Sequence, residues 1–255
     1  MKIAWENHAD GASLSTSTNG ELASLPATNV QVEHVGRKWR SGAVSAASLI
    51  FDMGASVTCD TLAMLGTNLS AAGTIWVRAS DADPAAQSSL LLDTGDIAAG
   101  VKAGYGAIYK SFASTTARYW RVRPSDGSLS YIEAGRVFLG PSWAPSVPQL
   151  FEWAPVVLDA TVLGRSYGGQ SYADQRPKRR GLMFTLDYMN EAEMYGNAFR
   201  LGWEQGITGD VLAIPDIAGS YLSEQAVFGQ LQANEPLFHR KPQIYRQKFT
   251  LIERL

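Results

Sequence analysis

Short runs in which apolar and polar residues alternate recur along this chain, separated by clusters of Gly, Pro, Asn, Asp and Ser. A two-residue period is the mark of a half-buried strand. Within Leu25–Ser41, Val30 and Val32 alternate with polar neighbours and predict a strand. In Ser48–Gly54, Leu49, Phe51 and Met53 face one side and Ile50 the other. Thr61–Gly66 and Gly73–Ser80 give two more strands, with Asn68 placed to cap the turn between them. YKSFASTTARYWRV, from Tyr109 to Val122, reads as a loop leading into a core strand. Two strands then follow, Tyr119–Arg123 and Ile132–Leu139, around the turn cluster Pro124–Gly127.

The second half opens with a β-type run, Val156–Leu163. In Gly181–Met189, Leu182, Phe184, Leu186 and Tyr188 alternate with Met183, Thr185 and Asp187. The period then changes. Asn190 with Glu193 three residues on is a capping box, and Met194, Tyr195, Ala198, Phe199, Gly202 and Trp203 fall on one helical stripe. Gly206 and Gly209 stop the helix. Strands are predicted over Asp210–Pro215, Tyr221–Leu231 and Pro242–Leu255; in the last, Tyr245, Phe249 and Leu251 share a face. That strand runs to the final residue, which implies a C-terminus tied into the sheet.

These elements predict a mainly β protein in two parts. Residues 1–142 form a β-sandwich of jelly-roll type, and residues 156–255 an α+β, barrel-like domain with one packed helix. Between them, residues 143–155 form a Pro- and Trp-rich connector. The stretch Gly140–Pro155 holds four prolines, too many for a central strand or a helix interior.

Composition narrows the function. The 255 residues are 45% hydrophobic, enough for a sizeable core, and the net charge of −2 gives no general attraction to nucleic acid or anionic membrane. No apolar run approaches the ~20 residues of a membrane span. The N-terminus lacks the apolar core of a secretory signal. A single cysteine, Cys59, and three scattered histidines supply no metal-ligand spacing, so no metal or cofactor is expected.

No enzyme constellation stands out. There is no G-x-S-x-G elbow, and Gly168-Gly169-Gln170-Ser171 lacks the lysine of a phosphate loop. Asp81, Asp83, Asp93 and Asp96 could offer oxygens to calcium, or simply solvate a turn. Arg37, Trp39 and Arg40, with Tyr105, are candidate carbohydrate contacts, since an aromatic beside arginines can stack on and hydrogen-bond a hydroxylated ligand. The competing reading puts Trp39 in the core. Trp76, inside a strand, reads as core. Tyr167, Gln170, Tyr172, Arg176, Lys178, Arg179 and Arg180 lie on a polar, Gly-containing arm and are candidate subunit contacts.

Two resemblances sharpen this. The phrases ARYWRVR and IEAGRVFLG, with LIFDMG and GTIWVRAS before them, resemble the strands of discoidin-type, galactose-binding-like jelly rolls. The order from SYGGQSYADQRPKRRGLMFTLDYM to YRQKFTLIERL resembles the minor tail and distal-tail proteins of long-tailed bacteriophages, although in those the ring-forming domain comes first. Together they imply a virion structural protein, made in the host cytoplasm and placed in the tail tip or baseplate. Its C-terminal domain would form a homo-oligomeric ring, sixfold by analogy, against other tail-tube and baseplate proteins. Its jelly roll would project outward, towards host surface glycans. The alternatives are a carbohydrate-binding module without a virion role and a hydrolase acting on surface polysaccharide.

Overall fold

The structure is a computed structural model that describes residues 1–102 and 104–254, apart from the side chain of Ala46. The chain divides into two compact units. One comprises Lys2–Trp143 together with Asp216–Ala226; the other comprises Met1, Ala144–Pro215 and Val227–Leu255.

The first unit is a jelly-roll sandwich. Its strands are β1 (Lys2–Ala4), β2 (Ser13–Thr16), β3 (Trp39–Arg40), β4 (Leu49–Leu65), β5 (Thr74–Ser80), β6 (Leu90–Asp93), β7 (Ile97–Ala98), β8 (Ala107–Ser125), β9 (Glu133–Ala134) and β10 (Arg136–Gly140). The main sheet has the order β10-β4-β8-β5-β6, with β2 on β4 and β7 on β5. Two long strands, β4 and β8, run antiparallel through its middle. Their register shifts between Asp52 and Val57 and again between Cys59 and Thr61, where the sheet bends over its own core. Gly54, at φ +75°, sits in the first shift. The core takes Leu49, Phe51, Leu62 and Met64 from β4, Ile75, Val77 and Ala79 from β5, Trp120 and Val122 from β8, and Val137 and Leu139 from β10.

Several expectations change here. Ser48–Gly54 and Thr61–Gly66 are two ends of one bent strand. The expected loop before Tyr119 is strand from Ala107 on, in keeping with its β-branched and aromatic residues. The alternation at Val30 and Val32 belongs instead to a 3-10 turn, Ala27–Gln31, that buries Val30. Asn68 bridges rather than caps: its amide donates to the Tyr131 carbonyl at 3.0 Å and accepts from the Glu133 N–H at 2.8 Å. Gly140 passes the Glu6 carbonyl so closely that a Cβ would stand 2.0 Å from its oxygen.

The second unit is a curled antiparallel sheet with one helix and a separate two-stranded hairpin. Its strands are β11 (Ala154–Leu158), β12 (Val162–Arg165), β13 (Ser171–Asp174), β14 (Arg179–Met189), β15 (Val211–Ile214), β16 (Val227–Leu231), β17 (Phe238–Lys241) and β18 (Ile244–Glu253). The sheet order is β15-β16-β18-β14-β11, with β17 on β18, while β12 and β13 pair only with each other. Leu182, Phe184 and Leu186 of β14 are buried beside Tyr245, Phe249 and Leu251 of β18. The alternation fails at Tyr188. A bulge after Leu186 gives Tyr188 φ +68° and turns it outward, while Asp187 goes inward to an ion pair with Arg240. Tyr221–Leu231 is not one strand: Leu222–Gln225 is a short helix that belongs to the first unit, and β16 starts at Val227. Leu255 lies outside the described residues; β18 ends at Glu253.

The helix begins as predicted, with both halves of the Asn190–Glu193 capping box made. Its middle, Met194–Phe199, is a π-turn before Arg200–Gln205 resumes α geometry. The wider turn splits the expected stripe. Met194, Ala198 and Leu201 are buried, whereas Tyr195, Phe199 and Trp203 form an exposed aromatic ladder with ring centroids 6.2 and 6.3 Å apart. Among the described residues no helix is long and apolar enough to cross a membrane.

Candidate ligand-binding cleft

The outer face of the β5–β8 pair carries the densest chemistry of the first unit. In β5, Ile75, Val77 and Ala79 point into the core, so Trp76 and Arg78 must point out. In β8, Trp120 and Val122 point in, so Arg121 and Arg123 point out. The register then sets Trp76 opposite Arg123 and Arg78 opposite Arg121. The Arg78 guanidinium carbon lies 3.7 Å from the Trp76 ring centre and that of Arg123 lies 4.0 Å away. With Gln87 these four residues line a cleft of about 150 Å³.

The three arginines are not equivalent. Arg78 approaches Asp93 at 3.3 Å, and Arg123 reaches both oxygens of Asp96 at 3.0 Å. Arg121 is held only by the Ser48 hydroxyl, at 3.0 and 3.3 Å, and faces no carboxylate within bonding distance among the described residues. Burial lowers its pKa, and the neighbouring Arg123 and Arg78 cations lower it further. The nearby Asp83 carboxylate offsets this only in part, so one partly buried cation stands in the cleft without an ion-pair partner among the described residues. The carboxylates nearby work as acceptors. Burial opposes ionisation of Asp93, yet donors from the Gly95 N–H and the Trp76 indole, with Arg78 alongside, keep its pKa below the usual carboxylate value. Asp83 is brought down to about 2 by the Gln87, Ala85 and Ser88 N–H groups and the Ser88 hydroxyl. Asp81 accepts from Ser56 and from the Arg118 N–H, both at 2.8 Å. The four aspartates weighed for calcium are therefore each engaged separately.

Trp76 is thus a surface aromatic, where its position in a strand suggested core. Trp39 is the reverse: it is fully buried, donates its indole N–H to the Gly20 carbonyl at 2.9 Å, and cannot touch a ligand. Arg40 pairs with Glu133 and stacks 4.2 Å from the ring centre of Tyr131. Arg37 and Tyr105 are exposed, and neither lines the Trp76 cleft. In the second unit, Tyr167, Gln170 and Tyr172 are exposed on the β12–β13 hairpin. Arg176 pairs with Asp174 at 3.0 Å and Lys178 with Asp159 at 3.6 Å, while Arg179 is exposed. Arg180 differs from the expectation: it is buried in the sheet against Glu253, which takes its guanidinium at 2.9 Å. Its charge is committed to a carboxylate within the fold.

No protein-family model and no curated protein matches the chain. Solved structures do resemble it. SpGH29 matches over 55% of this chain and 28% of its own, at 16% identity and a TM-score of 0.41. A CBM32 module from a family 31 glycoside hydrolase of Clostridium perfringens matches over 53% of this chain and 98% of its own, at 15% identity and 0.41. A Streptococcus pneumoniae fucose binding module matches over 53% and 95%, at 10% identity and 0.42.

Proposed function

We propose that the N-terminal unit is a non-catalytic binding module for an acidic saccharide. The observation that carries this reading is Arg121, a partly buried guanidinium with no carboxylate partner beside the Trp76 indole. Guanidinium forks suit carboxylate and sulfate groups, and an adjacent aromatic suits the apolar face of a sugar ring. At about 150 Å³ the cleft is smaller than the roughly 300 Å³ at which enclosing ligand pockets begin. It fits the charged end of a chain whose remainder lies on the sheet. Binding is favoured over turnover because, among the described residues, no carboxylate, histidine or other acid–base group lines the cleft, whose walls are an indole, three guanidiniums and an amide.

A glycan array spanning uronate-containing, sulfated, sialylated and neutral chains tests this, followed by calorimetry on the Arg121→Gln chain. A lost charge-assisted hydrogen bond costs about 1.5–3 kcal/mol, or about 10- to 150-fold in Kd. Binding should also weaken with added salt. Equal binding of neutral glycans, or an Arg121→Gln chain with wild-type affinity, would refute the reading.

A second reading concerns the other unit and is compatible with the first: self-association, as in a ring component of a phage tail tip. The β12–β13 hairpin favours it, because it pairs with no other strand and exposes Val162, Leu163, Tyr167 and Tyr172. Rings in electron micrographs would support it. A monomer at every concentration would end it.

A further inference from the structure

The C-terminal unit has a second cavity that the saccharide reading does not use. It lies against the helix, has a volume of about 250 Å³, and is walled by Ala198, Phe199, Trp203 and Leu237, with Glu235 and Gln247 also lining it. Gln247 is 5% exposed. Its amide donates to the Glu235 carbonyl at 3.0 Å, but its Oε1 has no hydrogen-bond partner. A buried acceptor left unmade is costly, so the site is one donor short. A fitting occupant has a flat apolar body and one O–H or N–H.

The same unit displays such a group. Tyr167 stands fully exposed at the tip of the β12–β13 hairpin. The tip is well defined: Ser166 donates to the Gln170 carbonyl at 2.9 Å, and Gly169, at φ +83°, donates to the Ser166 carbonyl at 3.0 Å. A charge pair is available as well. Arg165, two residues before Tyr167, forms no ion pair among the described residues, and the Glu235 carboxylate at the cavity forms none either, although Arg240, Arg246 and Lys248 line a neighbouring pocket with it.

We propose that Tyr167 of one copy inserts into the helix-side cavity of a second copy. Its ring packs against Phe199 and Trp203, its hydroxyl donates to Gln247 Oε1, and Arg165 meets Glu235. The inference rests on the self-association reading and names its contact. Knob and socket are different surfaces, so the contact is head-to-tail and propagates to a ring or a filament.

Sedimentation velocity on the full chain tests it with two variants, Tyr167→Ala, which removes the knob, and Gly202→Phe, which fills the socket. Trp203→Ala, an exposed residue, serves if Gly202→Phe misfolds. Each variant alone should be monomeric at concentrations where wild type assembles, a loss of at least ~30-fold as for a buried aromatic anchor. An equimolar mixture should give a capped heterodimer and nothing larger, because the one working knob fills the one working socket and only the disabled knob and the disabled socket remain. Wild-type assembly by the Tyr167→Ala chain would overturn the knob and leave self-association standing. A mixture that stays monomeric, or makes large oligomers, would overturn the head-to-tail contact. A monomeric wild type would overturn both.

Discussion

Arg136 is the largest charged side chain buried in the sandwich, and removing its partner should be costly. The residue is 2% exposed. Its guanidinium donates to Asp10 Oδ2 at 2.7 Å and to the Gln31 carbonyl at 2.8 Å. It thereby ties two early 3-10 turns, His8–Gly11 and Ala27–Gln31, to β10. Breaking a buried pair by deleting one partner costs about 3–5 kcal/mol. The Asp10 side chain is 39% exposed, so water reaches the vacated place and the penalty for Asp10→Ala falls to about 2–3 kcal/mol. At ~3–4 °C per kcal/mol for a unit of this size, Tm drops by about 6–12 °C. Asp10→Ala combined with Arg136→Met removes both charges and should recover most of that loss. Urea titration followed by tryptophan fluorescence reads it, since Trp39 and Trp120 lie in this core. If Asp10→Ala stays within about 0.5 kcal/mol of wild type, or the double variant is weaker than the single one, the pair is not the latch described here.

Trp39→Phe should cost about 2 kcal/mol in urea, since it strands the Gly20 carbonyl and leaves a void; a neutral result would place Trp39 outside the core. Asn190→Ala removes the capping-box acceptor and should cost about 1 kcal/mol, read as a lower denaturation midpoint for the C-terminal unit. Acid should weaken the sandwich through Asp83 and Asp126, both of which accept several hydrogen bonds and have lowered pKa values. For a lowered carboxylate, the stabilisation is whole above the unfolded-state pKa of ~4 and disappears as pH falls through the folded value, about 2 for Asp83. Asp83→Asn should flatten the Tm-against-pH curve between those limits; an unchanged slope would contradict the assignment.

Most strands were legible because period-two alternation with β-branched residues is a local signal. The capping box at Asn190 was legible for the same reason. What escaped depended on partners or on backbone irregularity. Nothing local shows that a bulge follows Leu186 and sends Tyr188 out and Asp187 in, or that a π-turn rotates Phe199 and Trp203 to the surface. The cleft was half legible. In GTIWVRAS, Trp76 shares its phase with Arg78 and not with Ile75 and Val77, and RYWRVR repeats the pattern for Arg121 and Arg123. The phase of each strand predicts outward guanidiniums and an outward indole; only the register, a long-range fact, brings them together. The burial of Arg180 was not legible because its acceptor, Glu253, lies 73 residues away.

That register also supplies a way to separate function from architecture. Arg78 and Arg121 stand directly opposite each other across neighbouring strands. Like charges in that position are destabilising, by a few tenths to about 1 kcal/mol. Asp93 pairs with Arg78, whereas Arg121 has no ion-pair partner among the described residues and only the field of Asp83 acts in its favour, too little to offset burial and its two cationic neighbours. Replacing it with a β-favouring neutral residue should therefore raise stability. Arg121→Thr is expected to lift Tm by ~1–3 °C while abolishing binding of acidic saccharide. An anionic ligand should stabilise wild type and leave the variant unmoved, because only a bound anion cancels the repulsion. A fall in Tm on Arg121→Thr would mean that the Ser48 contact outweighs the repulsion and that Arg121 is a structural residue, which removes the principal support for a binding cleft on this face.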